Sequence, residues 1–179
     1  VGHQKFSRAI QSAIHLAKKN DSLVTIGIEP TFPSTGYGYI QYDHKNSKDY
    51  LNGYKVKTFA EKPHRKLARR FFESGEFLWN GGMFVWRADV FFKKIEKYMP
   101  DLKDRLVKIE KRINNKQDIS RIWKQIESES IDHGLMEKSD NIYTVKAEFE
   151  WNDVGSWDAV YDLSPKSKGK NVIRGEGVV

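Results

Sequence analysis

The 179-residue chain contains no cysteine, which removes disulfides, zinc ribbons and thiol nucleophiles from consideration. That lack fits a reducing compartment, and the expected location is the cytoplasm. Long apolar runs are missing too: none approaches the ~18 residues a membrane span requires, and none reads as a secretory signal. Acidic residues are in the minority, 24 against 31 Lys and Arg, leaving a net charge of +7. A basic surface attracts nucleic acid, acidic membranes or small phosphorylated ligands, and its sign alone does not choose among them. The local basic cluster from His64 to Arg70 reads as the solvated face of a helix. There is no Ser-His-Asp or metal-histidine spacing, no internal repeat and no low-complexity segment.

What is present suits one domain with a sizeable core, because hydrophobic residues make up 39% and aromatics 13% of the chain. Residues 3–19 carry Phe6, Ile10, Ala13, Ile14 and Ala17 at helical spacing. "SLVTIGI" follows as a continuously apolar strand of the buried kind. An alternating strand after "STGYG" and a second one in "KVKTFAEK" form a pair, with Asn52-Gly53 as the turn candidate between them. Further helices are expected over 64–74, closed by Gly75, and over 87–99, stopped by Pro100. The spacing predicts two more over 101–113 and 118–127, a short one in "SIDHGLMEK" capped by Ser130, and one in "GSWDAVYDL" after a strand in "NIYTVKAEF". Strands alternating with helices argue for a layered α/β fold. The tail from Pro165 reads as a linker, and both ends read as cut, so a piece of a longer protein is expected.

Several short stretches could carry chemistry. In "STGYGYI", Gly36 and Gly38 either make a turn or let a ligand approach the backbone. In "FAEKP", strand alternation sends Glu61 and Lys62 to opposite sides unless the chain bends before Pro63. A carboxylate that accepts from hydroxyls beside an ammonium that neutralises phosphate suits a sugar phosphate, and a surface ion pair is the plainer alternative. "FLWNGGMFVW" sets Asn80-Gly81-Gly82 among bulky residues, as a hairpin tip, a core strand with a defect, or the floor of a pocket. Of these, a strand whose bulky residues form a wall while Asn80 and the glycines meet a ligand is preferred over a hairpin tip. Asn80→Ala should then weaken binding far more than it destabilises the fold. Asp153 in "WNDVGSW" stands after a strand and before a helix, where it could hold Mg²⁺ with phosphate oxygens or simply cap the helix in competition with Ser156. Asp132 and His133 are sequence neighbours that should point apart, so both are left outside the site.

In order, "TGYGYIQ", "FAEKP", "FLWNGGMFVWRA", "SIDHGLMEK" and "WNDVGSWDA" resemble the second half of the mannose-1-phosphate guanylyltransferases, also called GDP-mannose pyrophosphorylases. The resemblance runs from about residue 3 to residue 165 and implies a Rossmann-like mixed sheet flanked by helices. It implies that residues 1–165 are the C-terminal, sugar-binding part of the nucleotidyltransferase domain, with 166–179 a linker and the start of a β-rich domain that assists self-association in relatives. By the same resemblance Gly38 lies against the sugar, Glu61 binds its hydroxyls, Lys62 contacts the phosphate bridge, Asn80 bonds the sugar with Gly81 leaving room, and Asp153 holds catalytic Mg²⁺. The implied reaction is GTP plus mannose 1-phosphate giving GDP-mannose and pyrophosphate. In-line transfer needs alignment and charge neutralisation more than acid–base machinery, and Lys62 and Asp153 are the types for it.

Two departures stand out. The family's Gly-rich phosphate loop and its first metal-binding aspartate precede the region seen here, so this piece alone is expected to be inactive. Gly81 stands where bacterial relatives commonly carry Ser. A transferase for another hexose 1-phosphate, or a non-catalytic sugar-nucleotide sensor, remains an alternative. A nucleic-acid binder finds little support, because the aromatics read as core and no known RNA- or DNA-binding module is present.

Overall fold

The computed structural model describes residues 2–47 and 53–173. The chain divides into two compact units, residues 1–149 and 150–179.

In the first unit, helix α1 (Gly2–Asn20) buries Ala9, Ser12, Ala13, Leu16 and Ala17, a stripe at helical spacing that packs on the sheet. The stripe is narrower than the sequence pattern suggested. Phe6 and Ile14 stay largely exposed, and Phe6 instead meets the edge of Phe149, with centroids 5.3 Å apart. Strand β1 (Leu23–Ile28) is buried along its whole length, as its unbroken apolar run required. It pairs parallel to β5 (Ile142–Lys146) and antiparallel to β4 (Phe77–Val85). Strands β2 (Tyr39–Ser47) and β3 (Gly53–Ala60) form the expected antiparallel pair. The proposed turn at Asn52 lies outside the described residues.

The strand order is β1-β4-β2-β3-β5, and β5 returns to β1, so the hydrogen-bonded ladder closes on itself. One parallel pair among antiparallel ones makes the sheet mixed, and helices flank it. Closure comes from β3. Its end pairs with the start of β2, Tyr39 opposite Ala60, while its start reaches β5, Gly53 opposite Val145. Register shifts within the β2–β3 ladder supply the bend this needs.

The core gathers Leu23, Ile40, Phe59, Ile95, Leu135, Met136 and Ile142, so β1, β2, β3 and β5 share it with α3 (Ala88–Tyr98) and the turn before β5. Helix α2 (Arg65–Ser74) ends on Gly75 in the left-handed conformation and buries only Ala68, leaving its basic residues in solvent. Pro100 ends α3 as expected, but it also opens α4 (Pro100–Asn114) at the first helical position, where a missing N–H costs nothing. The pattern over 118–127 yields only α5 (Ser120–Trp123); Trp123 is 63% exposed, so too little apolar surface is buried to extend the helix. Residues Asp132–Met136 form a π turn, with Ser130 Oγ accepting from the His133 N–H at 3.3 Å. The expected strand over 141–149 is confined to β5.

In the second unit, α6 (Trp157–Leu163) is capped by Ser156, whose Oγ accepts from the Ala159 N–H at 3.2 Å. No strand is present over residues 166–173, and the rest of the tail lies outside the described residues. Among the described residues, no helix is long and apolar enough to cross a membrane.

Candidate functional site

The start of β2, the end of β3 and the middle of β4 meet at one place, and Gly38, Glu61, Lys62 and Asn80 converge there. The Gly38 carbonyl accepts from the Asn80 N–H at 2.8 Å, which ties the glycine turn to β4. A β-carbon on Gly38 would stand 2.5 Å from Glu61 Oε2 and 3.3 Å from the Asn80 β-carbon. Gly38 therefore lets Glu61 and Asn80 close over the backbone, and any side chain there would push them apart. Gly36 has the plainer role: its N–H donates to Ser34 Oγ at 3.1 Å, closing a turn.

Alternation alone would separate Glu61 from Lys62. The chain bends instead: β3 ends at Ala60, and Lys62 takes a left-handed backbone with φ 42°. This brings Lys62 Nζ to 2.6 Å from Glu61 Oε1. The Glu61 side chain is 10% exposed and that of Lys62 63%, so the carboxylate is held while the ammonium faces solvent. The Glu61 hydrogen bond, and next its charge, raise the Lys62 pKa above the ordinary lysine value, so Lys62 is cationic at neutral pH.

Asn80 sits where β4 departs from regular pairing. Thr25 lies opposite Phe84 and Gly27 opposite Asn80, so Ile26 alone faces Gly81, Gly82 and Met83. The stretch is thus a strand carrying a two-residue bulge, and a hairpin tip is ruled out. Gly82 takes φ 67°, which favours glycine, and a β-carbon on Gly81 would press within 2.9 Å of the Ile26 carbonyl, so a side chain at 81 needs the backbone there to shift. The Asn80 amide is fixed from several sides. Its Oδ1 accepts from Thr25 Oγ1 at 2.8 Å and from the Gly82 N–H at 3.2 Å, and its Nδ2 donates to Asp132 Oδ1 at 2.9 Å. A backbone N–H can only donate, so the orientation of the amide follows, and one Nδ2 hydrogen remains for a ligand.

Asp132, left outside the site by the sequence reading, therefore joins it through Asn80. Burial, and next the charge of Glu61, push its pKa above the usual carboxylate value. His133 does point away from Asp132; its Nδ1 lies 3.0 Å from Glu137 Oε2. Glu137 Oε1 accepts from the Glu61 N–H at 2.9 Å. The signal that would have placed these residues is the π turn, closed by the Glu137 N–H donating to the Asp132 carbonyl at 2.9 Å. Its wider circuit cannot be read from residue spacing. The aromatic wall beside the glycine turn is Trp79, which meets Tyr37 and Phe32 edge-on. A hollow of about 350 Å³ beside α4 is lined by none of these residues.

Asp153 belongs to the second unit. Its Oδ1 accepts from the Gly155 N–H at 3.3 Å, and Val154 between them has φ 51°. Ser156 caps α6, so the carboxylate is not used as the cap. Among the described residues no group of three histidines or carboxylates gathers to hold a metal. A single carboxylate still matches the way Mg²⁺ is held beside phosphates, with one or two carboxylates and the remaining ligands from water and substrate.

Mannose-1-phosphate guanylyltransferase of Escherichia coli is 36% identical over 176 residues, covering 96% of this chain and 38% of that protein. The enzyme of the same name from Klebsiella pneumoniae is 36% identical over 178 residues, again 38% of its length. The chain thus spans well under half of these relatives. A crystal structure described as mannose-1-phosphate geranyltransferase from Thermus thermophilus superposes with a TM-score of 0.75 at 26% identity, over 89% of this chain and 44% of that one. The profile of the Nucleotidyl transferase family matches residues 1–169. With that match running through both units and the fold shared with a solved relative, the chain belongs to the nucleotidyl transferase family.

Proposed function

We propose that the protein containing this chain transfers GMP from GTP to mannose 1-phosphate, releasing pyrophosphate and forming GDP-mannose. In this reading residues 1–165 supply the sugar-phosphate part of the catalytic domain, and the remaining length seen in relatives supplies the nucleotide part. The carrying observation is the convergence at Gly38 of Glu61, Lys62 and Asn80, residues that a sugar phosphate could use together. The relatives named mannose-1-phosphate guanylyltransferase support mannose as the sugar and guanine as the base.

A phosphate oxygen of mannose 1-phosphate attacks the α-phosphorus of GTP; the bond to the β-phosphate oxygen breaks and pyrophosphate departs. The attacking oxygen is already anionic, so no general base is required. Gly38 gives the sugar room against the backbone. The Glu61 carboxylate accepts from sugar hydroxyls, and the free Nδ2 hydrogen of Asn80 donates to another sugar oxygen. Lys62 swings from Glu61 to the sugar phosphate. Leaving an exposed ion pair costs only ~0–1 kcal/mol, while screening two mutually repelling anions contributes to alignment and transition-state stability alike. Asp153 would hold Mg²⁺, which when bound neutralises charge at the transferred phosphoryl group.

The test uses the full-length protein with Mg²⁺ and GTP. Pyrophosphate and GDP-mannose are expected with mannose 1-phosphate, and binding without turnover would support a sensor. Release with glucose 1-phosphate or another hexose 1-phosphate but not with mannose 1-phosphate would overturn the assignment of substrate.

A further inference from the structure

The π turn Asp132–Met136 and the residue that follows it touch both Asn80 and Glu61, on either side of Gly38. Asp132 holds Asn80 on the β4 side, and Glu137 holds the Glu61 N–H on the β3 side. The second contact falls at a particular point. β3 pairs with β2 as far as Ala60 opposite Tyr39, so the Glu61 N–H is beyond the last rung of the ladder. The next residue, Lys62, has a left-handed backbone that an L-residue keeps only where surrounding contacts over-determine it. Without Glu137, the segment that aims both Glu61 and Lys62 would have no hydrogen bond fixing its first N–H.

We propose that Glu137 is a positioning residue of the sugar-phosphate site: its Oε1 fixes the Glu61–Lys62 bend, and His133, bonded to Oε2, fixes the carboxylate. Two anchored oxygens leave Glu137 little freedom to rotate away. Burial works against the ionised form, but the bonds from His133 and the Glu61 N–H outweigh it and hold the Glu137 pKa below the usual carboxylate value. The other charges facing the pair are Glu61, Asp132 and Lys138, and Lys138 is itself bonded to Glu129 at 3.3 Å. In this reading Glu137 acts on the sugar phosphate through Glu61 and Lys62. The inference rests on the function proposed above.

The experiment is steady-state kinetics of the full-length protein with Glu137→Ala and Glu137→Gln. Alanine should raise KM for mannose 1-phosphate about tenfold, the effect of losing one charge-assisted hydrogen bond, with KM for GTP unchanged. Glutamine keeps an oxygen that accepts from the Glu61 N–H, and it should recover most of that loss. A lowered melting temperature with unchanged KM, or equal rises in KM for both substrates, overturns the proposal. If Glu137→Ala does not fold, Glu137→Asp replaces it: the shorter side chain withdraws the acceptor, and an unchanged KM for mannose 1-phosphate overturns the proposal. A wild-type protein with no mannose 1-phosphate turnover removes the function itself, and this inference with it. An active wild type with normal Glu137 variants removes the inference alone.

Discussion

Replacing Gly38 by alanine adds one carbon between Glu61 and Asn80, at a place already filled. The new atom would lie 2.5 Å from Glu61 Oε2, well inside any tolerated carbon–oxygen contact, and 3.3 Å from the Asn80 β-carbon. The Glu61 carboxylate must withdraw by at least about 0.5 Å, which a side-chain torsion supplies without moving backbone. Its withdrawal breaks the 2.6 Å contact with Lys62. Because Lys62 is mostly exposed, that ion pair is worth only ~0–1 kcal/mol to the fold. On the proposed function binding should lose far more, since the alanine methyl would crowd the sugar and the displaced carboxylate would no longer meet a hydroxyl. One charge-assisted hydrogen bond of ~1.5–3 kcal/mol corresponds to a rise of roughly 10- to 150-fold in KM for mannose 1-phosphate. Kinetics and thermal denaturation of the full-length Gly38→Ala protein should therefore separate, with KM rising and the melting temperature nearly constant. An unchanged KM, or a loss of stability above about 2 kcal/mol, would refute the assignment of this space to the sugar.

Asn80→Ala should behave differently, and differently from the expectation drawn from sequence. It strips partners from the fully buried Thr25 hydroxyl and from Asp132, so denaturant unfolding should show a loss of about 2–4 kcal/mol in addition to weakened binding; a loss below about 1 kcal/mol would contradict it. Asp153→Asn in the full-length protein should lower Mg²⁺-dependent turnover about 100-fold or more with little change in melting temperature, and retained turnover would remove its role at the metal. The hydrogen bond to Glu137 raises the His133 pKa above its ordinary 6.5. The folded state thus holds the proton more tightly than the unfolded chain. The pair's stabilising contribution is complete below pH 6.5 and is lost as pH rises through the raised value. An NMR titration of the His133 ring should give a midpoint above 6.5 that falls in Glu137→Gln, and an unmoved midpoint would refute the pairing.

Where a pattern depended on one local rule, the sequence carried it. The unbroken apolar run Leu23–Ile28 had to be a doubly covered strand, and Gly75 had to close α2. The residues meeting over Gly38 were legible as well, though not how they meet. Glu61 and Lys62 share one place because Lys62 adopts a backbone conformation that propensity disfavours, and only tertiary contacts select it. Asp132 and Glu137 escaped for a related reason: a π turn shifts which side chains share a face, and no spacing rule for α-helices or strands anticipates it. Closure of the sheet depends on register shifts between β2 and β3, which follow from long-range pairing rather than from either strand's own composition. At Asp153 two capping residues competed on paper, and the hydroxyl of Ser156 took the helix end.

The bulge in β4 has an arithmetic of its own. Thr25 to Gly27 is two steps along β1, whereas Phe84 back to Asn80 is four along β4, so the excess is even. An even excess leaves inside and outside unexchanged: Leu78 on one flank and Phe84 on the other keep the facing that an unbulged strand would give them. An odd one would turn one flank inside out, putting Phe77 and Trp79 where Leu78 belongs. Chain length here is therefore quantised. A homologue could lose both glycines and keep its core while giving up the bulge beside Asn80, but it could not lose one. Lengths in this stretch should differ among related sequences by pairs of residues, a parity rule that an alignment can check without a single experiment on the protein.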